Sequence, residues 1–192
     1  MGTPVPALCG LVLAAGAGAR FGGPKALARE GDGTPWVVLA ARMLRDAGCD
    51  HVLVLLGASA DRARPLVPPE AQIVVVDHWQ DGLSATLRAG LDAASALRAD
   101  AALITPVDTP AAPADAAARV TERAGSPLAR GLARATYAGR PGHPVLIGRD
   151  HWDALRETLH GDSGAGAYLS ARGATSVECG DLWSGADVDR QR

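Results

Sequence analysis

An arginine and a lysine, Arg20 and Lys25, stand close together in the stretch LVLAAGAGARFGGPKAL, which also supplies Gly16, Gly18, Gly22 and Gly23. Lys25 is the only lysine of the chain; the rest of its 19 basic residues are arginine. Glycines let backbone N–H groups approach an anion closely, and fixed cations beside them suit a phosphate. Taken alone, the segment is equally compatible with a bare glycine turn between a strand and a helix. The dinucleotide fingerprint GxGxxG fails, because Phe21 stands where its third glycine belongs. The P-loop GxxxxGK[ST] nearly fits from Gly18 to Gly23. However, Pro24 displaces the lysine by one place, and Ala26 stands where a magnesium-holding hydroxyl is needed.

Asp108, in PVDTP, follows an apolar run. A strand-end carboxylate facing a triphosphate needs a divalent cation to avoid repulsion, and magnesium with oxygen ligands meets that need. Asp108 can equally cap the helical stretch that follows it. Cys9, Cys49 and Cys179 are scattered, without CxxC spacing, and read as reduced, buried thiols rather than a zinc site. No His–Asp or Cys–His pair suggests nucleophilic catalysis.

The elements that must position these groups alternate. Short apolar runs at Ala7–Ala14, His51–Leu56, Ala71–Val76 and Ala101–Thr105 predict strands, and Trp36–Ala47 and Leu83–Leu97 carry helical patterns. Continuous apolar strands between helices describe a parallel sheet covered on both faces. Pro35 suits a helix start and Gly48 a helix end. Further on, Leu128–Tyr137 and His143–Gly148 predict an antiparallel pair joined by AGRPG. A helix over His151–Leu159, a glycine-rich turn and a short strand at Thr175–Glu178 complete the chain. With no repeat and no linker, residues 1–192 read as a single α/β domain whose strand ends collect the functional loops.

Composition narrows the function classes. A net charge of -2 and 4% aromatic residues give no footprint for nucleic acid or for an acidic membrane surface. The opening MGTPVP has no basic residue, which argues against export, and Pro6 stands where myristoylation needs Ser or Thr. No apolar run reaches the roughly 20 residues of a membrane span. The expectation is a soluble, cytoplasmic protein.

LAAGAGARFGGPKAL resembles the LAAGxSxRMGxPK signature of the MobA-like nucleotidyltransferases. Four further stretches match that family in order. DGLSATLRAGL (Asp81–Leu91) resembles GMSxSLRAGL, and PVDTP (Pro106–Pro110) resembles PVDQP. GRPGHPVLI (Gly139–Ile147) resembles GxxGHPVLF, and GDSGA (Gly161–Ala165) resembles GDxGAR. Five ordered motifs spanning nearly the whole chain are far more specific than any one of them.

The resemblance implies a Rossmann-like, GT-A type fold, a three-layer sandwich around a mostly parallel mixed sheet. It implies that Arg20 and Lys25 bind the triphosphate and stabilise charge on the leaving pyrophosphate. Leu13, Ala14 and Ala15 meet the base, and Gly16, Gly18, Gly22 and Ser84 complete the nucleotide site. Asp108 matches the family's metal-binding aspartate, for Mg2+. In place of the family's D[IV]DTPED, only ADVDR remains, with Asp187 and Asp189 aligned; Asp189 is the better second metal ligand. His143 lies toward the acceptor or is a structural histidine beside a turn. Cytidylyl-transferring members read LAAG and guanylyl-transferring members LAGG, so Ala15 favours CTP over GTP. The implied acceptor is molybdopterin, and a molybdoenzyme receiving the product is an implied partner. Gly166 and Thr109 replace the family's arginine and glutamine, which points to an altered second substrate. Three other functions remain open: nucleotidyl transfer to a sugar phosphate or other metabolite, non-catalytic nucleotide binding, and NAD(P)H-dependent dye reduction.

Overall fold

Each apolar run forms a strand, and seven strands join in one sheet. The computed structural model describes residues 7–189; MGTPVP, read above for export and acylation signals, lies outside them. In chain order the elements are β1 (Leu8–Ala14), α1 (Trp36–Asp46), β2 (His51–Leu56), α2 (Ala60–Ala63), β3 (Gln72–Val75), α3 (Leu83–Ala96), β4 (Ala101–Pro106), α4 (Ala114–Arg123), β5 (Leu132–Tyr137), β6 (Arg140–Gly148), α5 (Trp152–Thr158), α6 (Gly166–Ala171) and β7 (Thr175–Glu178). The strand order is β3-β2-β1-β4-β6-β5-β7. All pairs are parallel except β4–β6 and β5–β6. This is the Rossmann-like mixed sheet that the sequence implies.

The continuous apolar strands follow from burial on both faces. In β1, Val12 packs toward α1 and α4 while Leu11 packs toward α3, α5 and α6, and both are fully buried. Val54 and Leu53 of β2, Leu103 and Ile104 of β4, and Leu146 and Ile147 of β6 divide between the two faces in the same way. The result is three layers. In α1, Trp36, Val37, Ala40, Ala41 and Leu44 make the buried stripe of an amphipathic helix. That helix ends with Gly48 N–H on the Arg45 carbonyl and Cys49 N–H on the Leu44 carbonyl, a Schellman closure.

Sheet topology decides where the site forms. The chain leaves β1 for β2 on one side and reaches β4 on the other, so the loops after β1 and β4 part at a topological switch point. Because β6 runs antiparallel to β4, its first residues, through His143, lie at that same edge. The three cysteines are buried and unbonded, as expected. Burial pushes the Cys9 thiol up to about 12, far from thiolate chemistry.

The structure departs from expectation at several places: β6 begins at Arg140, so Arg140–Gly142 of the expected connection belong to the strand, and the short helix α2 had no sequence signal. Leu128–Arg130 forms a 3₁₀ turn behind Pro127 instead of the start of β5, and Gly148 at the end of β6 packs against it. Helix α6 begins at a glycine and spans six residues, too short for a hydrophobic period to declare itself. Among the described residues, no helix is long and apolar enough to cross a membrane.

The β5–β6 hairpin turns through Ala138 and Gly139, both left-handed (φ 52° and 74°), the geometry of a type I′ turn. Glu178 at the end of β7 braces it. Its carboxylate accepts the N–H groups of Ala138 (2.9 Å), Gly139 (3.2 Å) and Gly180 (3.0 Å) and the Thr136 hydroxyl (3.0 Å). These donors, the Ala138 and Gly139 N–H groups foremost, hold its pKa below the ordinary carboxylate value. A depressed pKa adds stability above the unfolded-state value and loses it as pH falls through the folded-state value. Glu178→Gln is therefore expected to lower the urea midpoint at neutral pH, and the gap from wild type should close as pH drops below about 4.

Candidate functional site

The loop after β1 is curled around one carbonyl. Gly18 O accepts the N–H groups of Phe21 (2.9 Å), Gly22 (3.0 Å) and Gly23 (3.1 Å). The curl buries Phe21 and Ala26, and the Phe21 ring packs on Trp36 with centroids 5.3 Å apart. Gly18 has φ +64°, and a Cβ there would stand 1.8 Å from the Gly23 oxygen, so only glycine closes this turn. The backbone N–H groups from Gly16 to Arg20 have no intramolecular partner among the described residues. They edge a cleft of about 490 Å³ lined by Leu13, Ala14, Ala15, Gly16, Gly18, Arg20, Lys25 and Asp108. Trp79, Gln80, Thr86 and Asp162 complete its wall, with Trp79 beside the Ala15 carbonyl, both crowding the Cα of Gly57. Gly82 allows that wall to close, since a Cβ there would strike Asp162 and the Gly161 carbonyl.

Asp108 sits in the turn after β4, pinned by backbone bonds on both sides. Val107 N–H donates to the Leu13 carbonyl (3.1 Å), and the Asp108 carbonyl accepts Val188 N–H (2.9 Å). The second bond draws the C-terminal segment across the site. Asp187 and Asp189 flank Val188, and their carboxylates come together with that of Asp108, one oxygen of each within 4.8 Å of the others. Lys25 Nζ reaches Asp108 Oδ2 at 2.7 Å and Asp189 Oδ1 at 3.2 Å. Burial by itself would lower the lysine pKa, but hydrogen bonds and charge from the two carboxylates outweigh it and hold the ammonium above its ordinary value. Three oxygen-donor carboxylates at this spacing suit a hard divalent cation such as Mg2+. Asp108 is not a helix cap: α4 starts later, behind Pro113.

A second cleft, of about 560 Å³, opens on the other side of Asp108. Leu13, Leu83, Pro106, Asp108 and His143 line both clefts, so the acidic cluster stands where they meet. Arg134, Gly142, Gly166, Leu169 and Asp187 line the second cleft alone. His143 is half-buried. Burial pushes its pKa below the ordinary imidazole value, against the opposing pull of Asp108 and Asp187.

Two expected nucleotide-site residues stand apart from the first cleft. Gly22 spends its N–H on the Gly18 carbonyl and is not among the lining residues. Ser84 is buried, donates its N–H to the Gly161 carbonyl (3.0 Å), and lines a separate surface depression with His78 and Arg88. Leu83 and Thr86 take its place, because positions three apart share a helix face and Ser84 falls on the next one. Sequence reasoning passed over Trp79, Thr86 and Asp162. A lone tryptophan just ahead of DGLSATLRAGL was the available signal.

The model of the MobA-like NTP transferase domain family matches residues 10–176. The nicotine blue oxidoreductase of Paenarthrobacter nicotinovorans is 34% identical over 200 residues, covering 97% of this chain and 94% of that protein. A molybdenum cofactor guanylyltransferase of Burkholderia ambifaria is 36% identical over 120 residues, 62% of this chain and 57% of its own length. Among solved structures, the Mycobacterium sp. strain JC1 homologue of the Mycobacterium tuberculosis protein Rv0371c superposes with a TM-score of 0.78. It shares 29% identity over 95% of this chain and 90% of the other. A manganese complex of Rv0371c itself, from M. tuberculosis H37Rv, gives 0.69 at 24% identity over 90% and 87%.

The loop geometry makes a prediction about stability. Gly18→Ala is expected to cost at least about 1 kcal/mol, from a left-handed alanine and its collision with the Gly23 carbonyl. Gly23→Ala, where a Cβ meets nothing within 4 Å, should stay within about 0.5 kcal/mol of wild type in the same urea titration.

Proposed function

The chain belongs to the MobA-like NTP transferase domain family, and on that footing we propose that it transfers a nucleotidyl group, CMP from CTP, to a phosphorylated acceptor, molybdopterin, releasing pyrophosphate. Residues 1–192 work as one nucleotidyltransferase domain in this reading. The observation that carries it is the meeting of two clefts at three carboxylates, one cleft bearing the Gly16–Arg20 N–H groups with Arg20 and Lys25.

The nucleotide triphosphate lies along the loop after β1, where backbone N–H groups and two cations face its negative charge. The base reaches Ala14 and Ala15, with Trp79 beside them as an aromatic surface. The Ala15 carbonyl is held by Ala58 N–H (2.8 Å), and alanine at this position, as in the cytidylyl-type motif that the loop resembles, supports CTP over GTP. Asp108, Asp187 and Asp189 would hold Mg2+, which supplies Lewis-acid stabilisation of phosphoryl charge. A phosphate oxygen of the acceptor, ionised at neutral pH, attacks the α-phosphorus; the bond to the β-phosphate oxygen breaks and pyrophosphate leaves with that electron pair. No general base is required. Lys25 exchanges its carboxylates for phosphate oxygens as the nucleotide enters, and Arg20 neutralises the leaving group. His143, neutral and on the wall of both clefts, borders the acceptor. A molybdoenzyme then receives the product.

Mixing the protein with molybdopterin, Mg2+ and each nucleoside triphosphate in turn is expected to release pyrophosphate with CTP. Turnover only with a sugar phosphate or another phosphorylated metabolite would move the acceptor assignment, and nucleotide binding without turnover would reduce the protein to a binding role. Lys25→Ala should cut kcat/KM by about 10²–10³-fold, as for loss of a preorganised charge donor; unchanged activity would sink the cradle reading.

The nicotine blue oxidoreductase that matches almost the full chain supports a second reading, hydride transfer from NAD(P)H to a dye. Against it stands a glycine loop in which Phe21 takes the place of the dinucleotide fingerprint's third glycine. Dye-dependent oxidation of NADPH by the purified protein, without pyrophosphate release, would select this second reading.

A further inference from the structure

Arg134 of β5 lines the second cleft and has no carboxylate within ion-pair distance among the described residues. Its Nη1 approaches Ser170 Oγ at 3.2 Å, while its Nε is buried with no hydrogen-bond partner. Val145 lies directly across the ladder from it, and Leu169 shares the cleft wall, so the guanidinium stands against apolar surface. The buried Nε carries a desolvation cost, while the outer end of the guanidinium, whose Ser170 contact is exposed, can still meet an anion in the cleft. The remaining charged groups on the cleft, Asp108 and Asp187, gather around the junction with the first cleft. Within the second cleft, Arg134 is therefore the one fixed positive charge among the described residues.

Gly166 faces the same cavity and occupies the place where GDxGAR supplies arginine. A Cβ at Gly166 would meet nothing within 4 Å, so the room for that side chain remains while its charge is gone. We propose that Arg134 is the anion-binding residue of the second cleft and takes the phosphate monoester group of the acceptor, supplying from β5 the charge that position 166 lacks. The proposal rests on reading this cleft as the acceptor site. A planar guanidinium favours two-point contact with phosphate, which orients the acceptor as well as attracting it.

Inorganic phosphate titrated calorimetrically into the protein tests this separately from the nucleotide reading. Wild type is expected to bind phosphate at two sites, one at Arg20 in the first cleft and one at Arg134. Arg134→Gln should weaken one site at least tenfold and leave the other unchanged; Arg134→Lys should retain part of the affinity. Adding Gly166→Arg to Arg134→Gln should restore the lost site, which a merely misfolded variant would not do. Arg134→Gln with both affinities unchanged, or wild type with no site sensitive to position 134, overturns the proposal. Arg20→Gln reports on the first cleft alone: if it changes nothing while Arg134→Gln removes a site, the triphosphate cradle falls and the role of Arg134 stands.

Discussion

Three carboxylates within a few ångströms of one another repel, and positive charge among them offsets that repulsion. Asp108, Asp187 and Asp189 meet at the junction of both clefts, and Lys25 answers two of them directly. That one ammonium ties together the loop after β1, the turn after β4 and the C-terminal segment. Its pairs are only partly buried, so their direct contribution to stability is modest. Their greater consequence is electrostatic. The ammonium offsets the mutual repulsion of the carboxylates and keeps a cation at the junction.

The fold makes this junction by geometry. Parallel pairing of β1 with β4 brings Leu13 opposite Pro106, after which the two loops part at the switch point of the sheet. One side of the opening receives the glycine loop and Trp79; the other receives β5, the start of β6 and α6. Antiparallel β6 is necessary to that second half, since a parallel strand would carry His143 to the far edge of the sheet. The Glu178-braced hairpin holds the same region from outside, which links a surface carboxylate to the shape of the second cleft.

Relatives of this chain carry quite different names, a molybdenum cofactor guanylyltransferase and a nicotine blue oxidoreductase. On the second cleft this chain departs from the motifs it resembles at Thr109 and Gly166, both lining residues.

Much was legible in the chain itself. Continuous apolar strands marked a buried parallel sheet, since strands covered on both faces cannot alternate, and β2 and β7 fall on the residues expected. The family, the glycine loop and the placing of Lys25 and Asp108 at the site were readable because they lie within short contiguous motifs. Tertiary structure decided the rest. The resemblance already pointed to Asp189 beside Asp108, but the long-range backbone bond from Val188 N–H to the Asp108 carbonyl, which brings Asp187 in as well, is set by the fold. Ser84 faces away and Thr86 faces in because helix phase is set by packing against the sheet. Arg134 lies in an ordinary strand pattern, and only the fold places it on the same cleft as Gly166. Motifs record which groups a chain keeps together; long-range pairing alone determines which distant groups face each other.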